Sequence, residues 1–201
     1  MSYDFSVDGW DDPSCDVLDF GLPTLPTELQ PSQGVAVARW VAGDFGVVLV
    51  VYRNEPDDDE AYDPDLEYGY DVQPYVRVNG EWESTNGSGG SNWFSPPFER
   101  RKELTARYVA AGHFHSQTTD DDRIIRVVDG LAGSDVKTIS VEMNGEVNTM
   151  SVESPLGAWV AGVIGKGPAR WIARDAAGSV VAAHDFEEMP SWHDEDVAGP
   201  D

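Results

Sequence analysis

His113 and His115 stand two apart in "GHFHSQTTDDD", a stretch that ends in three aspartates, Asp120, Asp121 and Asp122. On a β-strand successive side chains alternate between faces, so both imidazoles share one side and Phe114 takes the other. Two imidazoles so placed can ligate a metal, and zinc needs at least one more nitrogen or oxygen donor. An aspartate could reach across the turn, or His184 could arrive from another strand. The plainer reading buries Phe114, turns both histidines to water and uses the aspartates to cap the turn. It is preferred, because no third ligand has a fixed spacing, and no cofactor is expected.

A second set of residues could bind rather than react. Trp82, Trp93 and Phe94 lie close in sequence around a Gly-rich stretch, and Trp192 sits in the acidic C-terminal segment. Aromatic rings on the loops of a β-sandwich can grip a peptide or a sugar, although tryptophans that seal the end of a core are commoner. Met189 and Trp192 could anchor an acidic peptide in a basic groove.

Other chemistries fit poorly. The acidic segment 54–71 fails the EF-hand pattern: from Asp57 the sixth and twelfth positions are Tyr62 and Tyr68, and from Asp63 they are Tyr68 and Pro74. "NGSGGSNW" lacks the Lys-Ser/Thr of a phosphate loop. There is no Gly-x-Ser-x-Gly elbow. Cys15 is the single cysteine, flanked by carboxylates that raise a thiol pKa, the wrong direction for a nucleophile. No intrachain disulfide can form, so stability must come from packed apolar surface.

Charge narrows the partners. Thirteen Lys plus Arg face 37 Asp plus Glu, a formal net charge of −24. Such a chain repels nucleic-acid phosphates and anionic membrane surfaces. No apolar run is long enough for a membrane helix. The acidic start lacks the basic and apolar regions of a secretory signal, so a cytoplasmic location is the default expectation.

The elements that would position these residues are strands. Four prolines (13, 23, 26 and 31) make residues 1–34 an irregular arm, its sparse apolar residues pinned to a body rather than docked on a partner. "VAVARWV" (35–41) and "GVVLVVYR" (46–53) read as antiparallel neighbours, the second covered on both faces. Segments 54–71 and 85–97 read as loops. Asn79-Gly80 and Asn144-Gly145 each supply the positive φ angles of a type I′ hairpin turn. The second turn pairs Met143 with Glu146 and Ile139 with Met150. Ile139, Val141, Met143, Met150 and Val152 then line one face, and Thr138, Ser140, Glu142, Thr149 and Ser151 the other. Residues 98–109 read as one helical turn leading into a strand through "ARYVAAGHFH". "RIIRVVDG", "GAWVAGVI", "ARWIARD" and "SVVAAHDF" supply further strands, with "DAAG" a type I turn.

Short strands cut by turn residues every eight to twelve positions predict an all-β protein: an antiparallel β-sandwich, Ig-like in a C-terminal meander. The body spans 35–186, as one sandwich or as two lobes at 35–97 and 106–186, and 187–201 forms an acidic tail. The functional expectation is a non-enzymatic interaction or ligand-binding module acting through its loops, with a protein partner bearing a basic surface. The rivals are a metal-dependent enzyme built on the His-x-His pair and an acidic nucleic-acid mimic.

Overall fold

A computed structural model describes residues 3–4, 15–54, 67–85, 87–91, 94, 96–100, 104–118 and 123–186. Trp93, Trp192, Asp120 to Asp122, the acidic tail and most of the 54–71 segment lie outside the described residues. The chain divides into two compact units, Met1–Glu99 and Arg100–Asp201.

The first unit is an antiparallel sheet of six strands, β1 (Tyr3–Asp4), β2 (Gln33–Ala42), β3 (Phe45–Arg53), β4 (Tyr68–Val78), β5 (Glu81–Ser84) and β6 (Ser88–Ser91). The order is β1-β2-β3-β4-β5, and β6 also pairs with β4. β3 is buried from Phe45 to Val51, as its unbroken apolar run requires. Asn79 and Gly80 have φ of 54° and 91° at the β4–β5 turn.

Two stretches read as loop are partly strand. β4 begins at Tyr68, and Ser88–Ser91 forms β6. Both break strand composition rules, and both breaks have a local cause. β5 pairs with residues 75–78 of β4 and β6 with residues 69–72. Pro74 lies at the gap between them, where its carbonyl accepts from Thr85 N at 2.9 Å. Its missing N–H therefore faces the gap instead of a ladder partner. Gln73, 7% exposed, fills the gap by donating to Ser84 Oγ and to the Thr85 carbonyl. Gly89 is required because a Cβ there would collide with the Asp71 carboxylate and the Tyr70 carbonyl.

The arm is pinned, and it is not wholly irregular. Asp16–Phe20 forms a short helix, α1. Val17 and Leu18 pack on Ala36, Val48, Val50 and Tyr75, with Cys15 and Trp82 at the margin. Gly46 leaves room for the Leu18 side chain, which would lie 2.6 Å from a Cβ there. Three arginines hold the arm. Arg39 donates to the Val17 and Leu18 carbonyls at 2.9 and 3.2 Å, which satisfies the end of α1. Arg77 pairs with Asp19. Arg53 donates to the Leu29 carbonyl and pairs with Glu28 and Glu67.

Tyr52 covers Gly69, its cross-strand partner, with ring atoms 2.5 Å from where a Cβ would sit. Burial, with the Asp71 charge adding to it, pushes the Tyr52 phenol above its ordinary pKa of 10.0. Above that pH the unfolded chain has lost a proton that the folded chain retains, so this contribution to stability falls as pH rises through the folded value. Tyr52→Phe should therefore flatten the loss of urea resistance above pH 10.0. Equal slopes in the two proteins would refute the assignment.

The second unit holds two antiparallel sheets. One is ordered β11-β8-β7, from β7 (Val109–Thr118), β8 (Ile124–Ala132) and β11 (Ala158–Ile164). The other is ordered β10-β9-β12-β13, from β9 (Val136–Met143), β10 (Glu146–Ser151), β12 (Ala169–Asp175) and β13 (Val180–Asp185). Only β7–β8, β9–β10 and β12–β13 are sequential hairpins within a sheet. The remaining links cross between sheets, so the order is that of an Ig-like sandwich rather than a simple meander. No helical turn precedes β7 among the described residues.

The core of this sandwich is aromatic. Trp159 of β11 and Trp171 of β12 are 2% and 1% exposed, with ring centroids 4.9 Å apart. His184, the cross-strand partner of Trp171, has its ring centroid 5.1 Å from the indole. Gly130 is directly paired with Trp159. A Cβ at 130 would meet the Ala110 carbonyl and, at 2.7 Å, the indole.

Candidate binding site

The β9–β10 hairpin closes as its sequence requires. Asn144 and Gly145 have φ of 53° and 83°, and Met143 pairs with Glu146 and Ile139 with Met150. Ile139 and Val141 are buried, whereas Thr149 and Ser151 are exposed. Ser140 and Thr149 join hydroxyl to hydroxyl at 2.8 Å. Thr149 and Ser151 lie on the wet face of the four-stranded sheet, whereas Ser140, expected on the same face, is 3% exposed.

The strand register builds a row across that face. Val147 pairs with Glu142, Glu142 with Arg170, and Arg170 with Asp185. Directly paired residues point the same way, so apolar, acidic, basic and acidic groups stand side by side over about 14 Å, three strand spacings. The row borders a cleft of about 390 Å³, lined by Glu142 to Val147, Pro168 to Arg170 and Asp185. That volume lies within the range of small-ligand sites, about 300–1,000 Å³. Glu142 and Asp185 flank the Arg170 guanidinium in this row, while Glu146, paired with Met143, lines the cleft from the other face of the hairpin, so the acidic groups outnumber the basic one and the cleft favours a cationic group. Val147 is 58% exposed, an apolar contact at the rim.

One wall of the cleft is held from inside the sandwich. Arg126, 5% exposed, donates to the Gly167 carbonyl at 2.8 Å and to the Gly165 carbonyl at 3.4 Å, and contacts Met143 Sδ at 3.5 Å. These bonds fix the β11–β12 turn, in which Gly165 and Gly167 adopt φ of 135° and 110°. Residue 168, a proline, follows at once and lines the cleft.

Those residues singled out in the sequence whose side chains are described fall elsewhere. His115 is half-buried on β7 opposite Val127. β7 carries a bulge between Ala111 and Phe114, so Gly112 and His113 together oppose Asp129. The His113 side chain lies outside the described residues. His184 is in the other sheet, against Trp171. Among the described residues, no three His, Cys, Asp or Glu side chains gather to hold a metal. Trp82 is half-buried under the Arg77 guanidinium, 4.3 Å from its ring centroid. Phe94 is 6% exposed and meets Tyr70 edge-on at 6.0 Å.

Sequence reasoning missed Glu142 as a site residue, and with it Val147, Arg170 and Asp185. Val147 had a signal: the two-residue turn pairs it with Glu142 and so puts an apolar side chain on the wet face. Arg170 and Asp185 had none, because only the β9–β12–β13 order brings them alongside. No family model matches the chain, and neither a curated protein nor a solved structure matches it.

Proposed function

We propose that the chain is a binding module that takes a basic segment of a partner protein at the cleft on the wet face of the four-stranded sheet. The observation that carries this reading is the cross-strand row Val147–Glu142–Arg170–Asp185 beside a cleft with three carboxylates and one arginine. A lysine or arginine entering beside Val147 lays its aliphatic stem along that side chain and brings its charge to Glu142. Arg170 keeps the acidic groups from repelling one another and gives the site a polarity along the row. The overall charge of −24 steers a basic partner toward the protein and makes the encounter sensitive to salt.

The test uses a capped hexapeptide, Thr-Val-Lys-Val-Thr-Val, titrated into the isotope-labelled full chain. Amide shifts should centre on Glu142 to Val147, Ala169, Arg170 and Asp185. Glu142→Gln, which removes the charge and keeps a polar partner opposite Arg170, should weaken binding several-fold without lowering the melting temperature. Shifts centred on another surface, or equal binding by the same peptide with glutamate in place of lysine, would overturn the proposal.

A further inference from the structure

Resting on that reading, we infer that the partner segment binds as an added β-strand along the outer edge of β10. A sheet edge exposes unpaired N–H and C=O groups, and proteins guard such edges with short strands, bulges, proline or lysine. Among the described residues, the other sheet edges carry such devices or are covered. β1 has two residues, and β5 and β6 have four each. β7 bears the Gly112–His113 bulge. β11 is buried from Ala158 to Val163. β13 meets a register shift at Ala173/Arg174.

β10 carries none of these. Its six residues, "EVNTMS", contain no proline, no lysine and no bulge against β9. All but Met150 are exposed, and no strand among the described residues pairs with its outer side.

The turn fixes which groups face outward. In a two-residue hairpin the residues flanking the turn form a hydrogen-bonded pair. Glu146, Asn148 and Met150 therefore direct their N–H and C=O toward β9. Val147, Thr149 and Ser151 direct theirs to the open edge, and their side chains lie on the wet face that carries the cleft. An added strand so becomes the fifth member of the row. A lysine or arginine opposite Val147 starts about 10 Å, two strand spacings, from the Glu142 strand. Outstretched, the two side chains meet over Val147. The backbone ladder would hold the segment without regard to sequence, and the cleft would select the basic residue.

The same hexapeptide separates this inference from the cleft reading. Methylating its backbone on alternate nitrogens, in each of the two registers, leaves side chains and charge intact but removes ladder donors. One of the two methylated peptides should lose at least tenfold in affinity, and the other far less. On the protein, Ser151→Pro removes one outward N–H while sparing the β9 ladder and the Ser140–Thr149 bond, and should weaken binding similarly at an unchanged melting temperature. Undiminished binding by both methylated peptides would overturn strand addition while leaving the cleft reading standing. If the lysine dependence also vanished, both would fall. Sedimentation showing a dimer that Ser151→Pro dissociates would instead make a second copy the occupant of this edge and refute the basic-segment assignment.

Discussion

Replacing Trp171 by alanine is expected to destabilise the second unit by about 3–5 kcal/mol, the range for truncating a large buried aromatic. Trp171 is 1% exposed and meets two rings, Trp159 from the opposite sheet and His184 from the neighbouring strand. Its loss removes the indole's own burial and also leaves Trp159 without the partner that fills the space between the sheets. Neighbours cannot close that space, because Gly130 already lets the Trp159 indole pack against the backbone of β8. Trp171→Phe should cost less, since a ring remains, although the smaller volume still leaves a void. Urea unfolding followed by far-UV circular dichroism would read both. A cost for Trp171→Ala below about 1 kcal/mol, the level of a surface change, would show that the indoles do not hold the two sheets together.

That core was legible only in part before the structure. Period-two patterning gave Ile139 and Val141 an inward direction, and the Asn-Gly turn set the register to the residue. The Asp-x-x-Gly turn was equally plain: Asp175 Oδ1 accepts from Ala177 N and Ser179 N at 2.9 Å each, and its carbonyl accepts from Gly178 N at 3.0 Å. In each case a local side-chain or φ requirement selected the residues. Which strands become neighbours across sheets is a different matter. Pairing β12 with β9 across two other strands depends on the whole packing, and neither sequence leaves a local trace of it. The row of Glu142, Arg170 and Asp185 was hidden for that reason.

Tyr68 to Asp71 and Ser88 to Ser91 were misread for the opposite reason. Their local signals were clear, and tertiary context overrode them. Glycine, aspartate and proline disfavour strands in general. Here Pro74 and Gln73 sit at the one gap in the ladder, and Gly69 and Gly89 make room for Tyr52 and Asp71. The arm shows a third pattern. Its apolar residues announced that it would pin to a body, but the arginines that hold it come from β2, β3 and β4, far away in sequence. Aromatics gave the weakest guidance. Trp82 and Phe94 were weighed as possible grips, yet the residues that border the cleft are mostly charged and small, types too common in this chain to stand out.

Arg126→Ala is the second large effect expected, because this arginine ties the stability of the sandwich to the shape of the cleft. Hydrogen bonds from a charged donor contribute about 1.5–3 kcal/mol each, and the Gly165 and Gly167 carbonyls, on partly exposed and exposed residues, recover part of this by turning to water. With the Gly165 and Gly167 carbonyls both released, a loss of about 3 kcal/mol is expected. Arg126→Met should cost less than Arg126→Ala, since it fills the same space and removes the charge with its desolvation penalty, but the two hydrogen bonds to the turn are still lost. Arg126→Lys should recover only part of the loss, because an ammonium cannot reproduce the guanidinium's fork. The functional consequence separates these variants from simple core damage. Freed from Arg126, the turn no longer positions the wall that Pro168 to Arg170 give the cleft. The hexapeptide should then bind several-fold more weakly to Arg126→Met, even under conditions where that variant is fully folded. Trp171→Phe, which leaves the turn in place, should bind it as the parent does. Equal affinities for the parent and Arg126→Met would mean that the wall holds its place by the glycine backbone alone, and Arg126 would then be a core residue with no bearing on the site.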